Sequence, residues 1–300
     1  MSTVARRPAR PFRMTRTGRE KIVNIVLLTI VTLLVLFPFV WMVSLAFTPA
    51  DAAFHDVTLW PADPTWDNFV TALTVGNLGR AFLNSTIVSL IAVATNCLIT
   101  VAAGYAFAHL PFRGSDVIFY VLIATAAIPV AVTLIPLFLM VSNFPLAGGN
   151  DILGRGGSGL VDTLGGIAIP YLVGTMSIFL VRQFYKGMDK DLAEAARLDG
   201  ASEFRLFRSI YMPLSTPIIA VVAIFSFTGV WDDLLWPLVV SSSPQSQTVQ
   251  LALTRFSQTG NIQYAPLMAA TIIVTIPVLL VFLFNQRHFI SGLSEGAVKG

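Results

Sequence analysis

The sequence predicts an all-α membrane protein with six transmembrane helices. Three observations carry that prediction: an apolar composition, apolar runs long enough to cross a bilayer, and basic residues gathered in alternate connections. Hydrophobic residues make up 55% of the 300-residue chain and charged residues 12%, against about 25% charged in a soluble domain. Mean hydropathy is +0.76. The length alone would allow about two soluble domains, but the apolar runs recur throughout, so one membrane domain is the simpler reading. The lone Cys97 lies inside such a run, can form no intrachain disulfide and reads as a small buried hydrophobe.

A helix needs about 20 apolar residues to cross the hydrocarbon layer, because every backbone N–H and C=O must find its partner internally there. Six segments qualify: 22–47, 86–107, 117–141, 164–181, 217–240 and 265–284. The fourth carries the weakest pattern, since Gly165, Gly166, Pro170 and Gly174 interrupt it. Cytoplasmic connections retain Lys and Arg. All but Arg80, Arg155 and Arg255 of the 19 basic residues fall in the first tail, the second-to-third and fourth-to-fifth connections, and the C-terminus. Both termini are therefore expected in the cytoplasm. The expected organisation is a basic tail 1–21, a six-span domain 22–285 and a C-terminal tail 286–300. A cleaved signal peptide ending near Ala50-Asp51-Ala52 fits less well, because the run 22–47 exceeds the roughly 7 to 15 residues of a signal h-region and reads as a retained anchor. The net charge of +3 suits this topology better than nucleic-acid binding, because few aromatics are interleaved with the basic residues.

The loop 182–213 between the fourth and fifth spans has its own pattern. Asp191 with Glu194 three residues later reads as a capping box that opens a helix. Asp199-Gly200 closes it, because glycine tolerates the left-handed conformation of a helix stop. Ser202 caps a second helix in which Phe204, Phe207, Ile210 and Tyr211 form a stripe, and Pro213 ends it. A helix, a tight turn and a helix would present the small Ala195 and Ala196 beside an aromatic edge, a knob suited to a partner's groove. An interfacial hairpin packed against its own spans fits the spacing equally.

The run Glu194-Ala195-Ala196, three residues, Gly200, nine residues, Ile210, one residue, Met212-Pro213 resembles the EAA loop of bacterial ABC importer permeases. Met212 replaces the usual Leu, a volume-conserving change. Asn84-Ser85, the stretch from Trp231 to Pro237 and the ending from Gly292 to Gly300 resemble the sugar-importer branch of that family, similar to the second permease of the maltose system. The branch usually has Asn where Asp232 stands. The tail before Thr17 and the Gly-rich insert 148–159 have no counterpart in it. The resemblance implies a MetI-like permease fold in the bacterial inner membrane. It implies that Glu194, Ala195, Ala196, Asp199, Gly200, Ala201, Phe204, Ile210 and Pro213 form a coupling helix that docks on a separate ATPase subunit. It further implies two ATPase subunits that bind ATP and Mg, a second homologous permease, and an extracytoplasmic sugar-binding protein facing the loop 241–264. No cofactor is expected on this chain.

Other candidate chemistry is weaker. Gly149 with Gly154-Arg155-Gly156 approaches a phosphate-binding loop but lacks its Lys, its Ser or Thr, and a preceding strand. His55, His109 and His288 are too scattered for a local metal site, and Ser241-Ser242-Ser243 reads as a solvated turn. Asp232 and Asp233 would be costly at membrane depth unless they face water or a cavity. With Trp231 and Trp236 beside them they suggest a wall of a sugar route, or equally a helix end with interfacial tryptophans. The expected function is a permease subunit that imports a carbohydrate by ATP-driven alternating access, with no ATPase activity of its own. A polyol or glycerol phosphate as cargo, or an ion-gradient-driven transporter, are the alternatives.

Overall fold

The computed structural model describes residues 18–52, 59–74, 77–257 and 262–297, the side chains of Arg19, Lys190 and 287–297 excepted. The basic tail 1–17, His55, the imidazole of His288, part of the loop 241–264 and the closing residues 298–300 lie outside that description. Helix α1 spans Gly18–Phe47, the short α2 Asp67–Thr74 and α3 Leu78–His109. Helices α4 (Ser115–Thr125) and α5 (Val130–Ser142) follow. Next come α6 (Leu164–Ala168), a 3₁₀ turn (Ile169–Tyr171) and α7 (Thr175–Lys186). Short helices α8 (Lys190–Leu198), α9 (Glu203–Leu206) and α10 (Met212–Leu214) lead to α11 (Thr216–Trp231), with a π-helical turn at Phe207–Tyr211. Then α12 (Leu235–Val240), α13 (Val249–Leu253) and a 3₁₀ turn (Thr254–Ser257) precede α14 (Tyr264–Ala297).

Among the described residues, Glu20–Phe47, Leu78–His109, Leu164–Lys186 and Tyr264–Gln286 are long and apolar enough to cross a membrane alone. The pairs α4 with α5 and α9–α10 with α11 meet the same measure only as helices bent by 101° and 73°. The third expected span is therefore not a continuous helix, and the fifth is interrupted too, although its 73° bend lies ahead of it, before Thr216. In the third, Pro129 is extended (φ −59°, ψ 134°) at the start of α5, and a proline pushes the residue before it out of the helical region. In the fifth, α11 stops at Trp231 and α12 restarts at Leu235, and in the joint the Asp233 carboxylate accepts the Leu235 N–H at 2.8 Å, the local side-chain-to-backbone bond by which Asp favours a turn over a helix. The second span also begins earlier than its apolar run suggests, so Asn84 and Ser85 sit inside α3 rather than ahead of it.

Helix α3, which contains no proline, is the axis of the bundle. Its side chains enter three buried clusters in turn: Leu78 and Ala81 with Trp231 and Val274, Val88 and Ala92 with Trp236, and Val101 and Tyr105 with Tyr185 and Tyr211. Helices α7 and α11 pack along it. At Gly104 the α3 backbone passes so close to Val181 of α7 that a Cβ would overlap the valine side chain. Small residues let membrane helices approach in this way. Helix α1 reaches the rest of the chain chiefly through α14 and exposes Ile22, Leu28, Leu33 and Leu34, as lipid contact requires.

Candidate functional site

Beyond α7 the chain builds a projecting hairpin. Helix α8 is capped by Asp189, whose side chain accepts the Asp191 N–H at 3.0 Å. The cap therefore lies two residues before the expected Asp191, and Asp191 and Glu194 do not form a capping box. Asp189 wins because the helix already begins at Lys190, leaving Asp191 inside the first turn. Gly200 closes α8 at φ +78°, with its N–H on the Arg197 carbonyl at 3.0 Å and the Ala201 N–H on the Ala196 carbonyl at 3.0 Å. Ser202 caps α9, accepting the Arg205 N–H at 3.4 Å. Both expectations for the turn hold.

The faces of the hairpin are divided by size and polarity. Ala193, Leu206 and Tyr211 are buried in the same cluster as Tyr105 and Tyr185, and Phe207, Ile210, Ala196 and Ala201 pack against it. Leu192, Leu198 and Phe204 face outward, Leu198 at 89% exposure, and Glu194, Ala195 and Asp199 are exposed with them, as is Pro213. Phe204 is exposed yet lines one cavity with Phe207 and Tyr105, so its ring stands at the edge of the face that Phe207 and Tyr211 share.

A charged contact braces the hairpin against α3. Glu203 shares its carboxylate between the Arg197 Nε at 2.8 Å and the Tyr105 hydroxyl at 2.8 Å. The bond from Arg197 holds the Glu203 carboxyl below the usual carboxylate range, with the Tyr105 bond acting in the same direction.

Midway along α3 the fourth span is broken, and the break is where polar groups converge. Leu172 to Gly174 leave the helix, and the buried Asn96 takes up the freed backbone groups, donating to the Tyr171 carbonyl at 2.7 Å and accepting the Gly174 N–H at 2.5 Å. The Tyr171 hydroxyl bonds the Asp233 carboxylate in the joint between α11 and α12. The two broken spans are thus tied to each other. Beside them lies a cavity of about 500 Å³ whose lining includes Asn96, Tyr171, Ser177, Phe225 and Ser226 and has no charged side chain.

The expected wall of Trp231 and Trp236 does not form. Both indoles are buried, at 1% and 2% exposure. Trp231 donates to the Val274 carbonyl at 3.0 Å and Trp236 to the Gly166 and Ile167 carbonyls at 3.2 Å. Their faces are packing surface, neither a sugar platform nor an interfacial anchor, because each N–H finds a carbonyl inside the protein. Asp232 is exposed at the joint and Asp233 half-buried. Asn96, Tyr171 and Ser177 were not singled out in the sequence. The break at Pro170 and Gly174 was the only signal pointing to them.

At the opposite end of the bundle, the loop after α12 is held rather than free. Ser242 and Ser243 donate their N–H groups to the Asp162 carboxylate at 2.6 and 2.7 Å. These bonds, Ser243 foremost, keep the Asp162 carboxyl below its ordinary range despite some desolvation. Asn84 holds the Gln245 and Gln247 carbonyls at 2.8 and 2.9 Å, and Ser85 accepts the Val249 N–H at 2.9 Å. The Ser241-Ser242-Ser243 turn is therefore anchored, and Asn84-Ser85 anchors it from inside α3. The Gly-rich insert is braced as well: Asn150 reaches the Ser142 and Phe144 carbonyls at 2.9 and 3.0 Å and accepts the Gly157 N–H at 2.7 Å.

A bundle of broken apolar spans with a projecting helix–glycine–helix loop defines a polytopic membrane transport component. Residues 96–295 match the family described as binding-protein-dependent transport system inner membrane component, and the chain belongs to that family. It is 31% identical over 275 residues to the arabinooligosaccharides transport system permease protein AraQ of Halalkalibacterium halodurans, covering 90% of this chain and 93% of the relative. It is 30% identical over 290 residues to the lactose transport system permease protein LacG of Rhizobium radiobacter, covering 95% and 100%. The fold matches a chain of a bacterial ABC transporter involved in the import of the acidic polysaccharide alginate, with a TM-score of 0.75 at 22% identity, covering 93% of this chain and all of the other.

Proposed function

We propose that this chain is a transmembrane subunit of an ABC importer for a neutral mono- or oligosaccharide, and that the hairpin 187–213 is its coupling element. The carrying observation is the exposure of Leu192 and Leu198 on α8 beside Ala195, raised on a hairpin whose inner face is already packed. Exposed apolar patches rimmed by polar groups mark interaction sites. In this reading the face docks on an ATPase subunit, of which the complex has two, and ATP and Mg bind there rather than here. Glu194, Ala195, Ala196, Asp199, Gly200 and Ala201 form or frame the contact. The hairpin and both termini lie in the cytoplasm, consistent with the distribution of Lys and Arg. A second, homologous permease completes the pathway, and a sugar-binding receptor docks at the opposite end, where Asp162, Asn84 and Ser85 hold the loop 241–249.

A carbohydrate cargo is favoured by the relatives, whose names specify arabinooligosaccharides and lactose. The uncharged lining of the cavity at Asn96 and Tyr171 favours a neutral sugar over glycerol phosphate, because a phosphate ester would need a cation beside it. The test is purification of the complex followed by uptake into proteoliposomes with the cognate receptor. ATP-dependent uptake of a labelled arabinooligosaccharide or galactoside is expected. Uptake that persists without ATPase subunits but collapses with an ion gradient would overturn the assignment, and uptake of glycerol phosphate alone would overturn the sugar.

A further inference from the structure

The projecting turn cannot by itself carry a push. At Gly200 a Cβ would meet nothing within 4 Å, so no side chain fills the turn itself, and α8 leans on the bundle through the small Ala193 and Ala196 against the cluster of Tyr105 and Tyr211. Apolar contact between small side chains fixes no direction, and a directional connection also runs from α8 to α3.

We propose that Glu203 is the positioning residue that carries displacement of α8 into the spanning helix α3, through Arg197 on one carboxylate oxygen and Tyr105 on the other. The two bonds are both 2.8 Å and use different oxygens, Oε1 for Arg197 and Oε2 for Tyr105. One carboxylate therefore joins the last turn of α8 to α3 directly. Arg197 and Glu203 stand on either side of the open turn, so their bond closes the gap that Gly200 leaves. Tyr105 is 4% exposed and wedged among Tyr185, Phe207 and Tyr211, with ring centroids 5.0 to 5.9 Å away. Its ring cannot slide without moving α3.

Helix α3 in turn holds the broken fourth span through Asn96, so the path ends at the joint beside the cavity lined by Asn96 and Tyr171. An exposed ion pair alone contributes little. Here the carboxylate gains from the buried tyrosine on its other side, which fixes its position. A π turn directly follows, at Phe207–Tyr211, the kind of irregularity that recurs at functional sites.

This inference rests on the coupling reading above, and the experiment separates the two. The complete transporter is placed in nanodiscs in a Cys97→Ser background, with spin labels at Asp191→Cys, on α8 but not among the docking residues, and Leu98→Cys on α3. The distance distribution is read without nucleotide and after trapping with Mg-ATP and vanadate. With Tyr105 and Glu203 intact, the pair should move as one body and the distribution should be the same in both states. Tyr105→Phe removes one bond and keeps the ring. It should at least double the width of the trapped distribution, with the amount of trapped nucleotide unchanged. Glu203→Ala should do the same, and the double variant should be no worse than either, since both remove one path. A Tyr105→Phe distribution identical to that of the unaltered residue, or additive effects in the double variant, would overturn the inference while leaving the coupling role intact. Absence of any trapped nucleotide in the unaltered complex would overturn the coupling reading and the inference with it.

Discussion

Asn96 on α3 and Gly174, 78 residues further along the chain, are joined by a bond of 2.5 Å from the Gly174 N–H to the Asn96 carboxamide oxygen. The same side chain donates to the Tyr171 carbonyl. A helix broken at membrane depth must satisfy its freed backbone groups within the protein, and one asparagine does so on both sides of the gap. Without it, the proline and glycines of the fourth span would leave orphaned polar groups in an apolar medium.

Asn96→Ala should therefore destabilise the protein through the two groups it abandons, at about 1–3 kcal/mol for each buried unsatisfied group. A lower midpoint of thermal unfolding in detergent is expected. Asn96→Asp, which keeps the acceptor but cannot donate to Tyr171, should also be less stable than the unaltered protein. An unchanged midpoint for Asn96→Ala would show that water or a rearranged backbone replaces the asparagine.

Gly200→Val tests the turn. The site has φ +78° and no neighbour within 4 Å of a Cβ, so the penalty is purely conformational, about 1–2 kcal/mol for a residue with a Cβ in the left-handed region. Gly200→Asn should be milder, because asparagine tolerates that region. Retention of the ATPase subunit on an affinity column should fall for Val and largely survive for Asn. Equal retention for Gly and Val would remove the turn from the coupling surface.

Arg182 is 4% exposed and joins three elements. It pairs with Asp116 at 3.0 Å, donates from Nε to the Phe107 carbonyl at 3.1 Å and lies 3.8 Å above the Phe119 ring. Its partner Asp116 is well exposed, so the ion pair itself contributes little. Most of the effect should come from the carbonyl bond and the stacked ring. Arg182→Lys keeps the charge but loses the planar fork, and should cost ~1–2 kcal/mol. A thermal midpoint equal to that of the arginine form would argue that charge alone matters.

The loop after α12 should loosen in acid. The Asp162 carboxyl is held below its ordinary range by the Ser243 and Ser242 amides, so its contribution is complete above that range and is lost as pH falls through the lowered value. Hydrogen exchange at Ser242 and Ser243, corrected for the intrinsic pH effect, should be slow near neutrality and accelerate several-fold as the carboxyl protonates. Asp162→Ala should show the fast exchange already at pH 7. Equal protection in both proteins at pH 7 would show that Asn84 and Ser85 suffice.

Much of the hairpin 187–213 was legible because its signals are local. Gly200 and Ser202 are a stop and a cap read from neighbouring residues, and the structure has both. The cap of α8 was misplaced by two residues because Asp189 and Asp191 are the same residue type, and only the true start of the helix distinguishes them. Trp231 and Trp236 were misread for a different reason. An indole beside acids fits a sugar wall, a membrane interface or a core equally in one dimension. The carbonyls of Val274, Gly166 and Ile167, which make it core, arrive from distant parts of the chain.

The sequence by itself determined that this protein lies in a membrane, where its apolar runs fall and that one polar connection bends at a glycine. Those properties follow from transfer free energy and backbone sterics, which act residue by residue. The tertiary structure alone decided where the spans break without penalty, which acids are held and which aromatic rings face inward. These depend on hydrogen bonds between residues tens to more than a hundred positions apart. No local pattern encodes such a pairing, because the partner is brought within reach only when the helices pack.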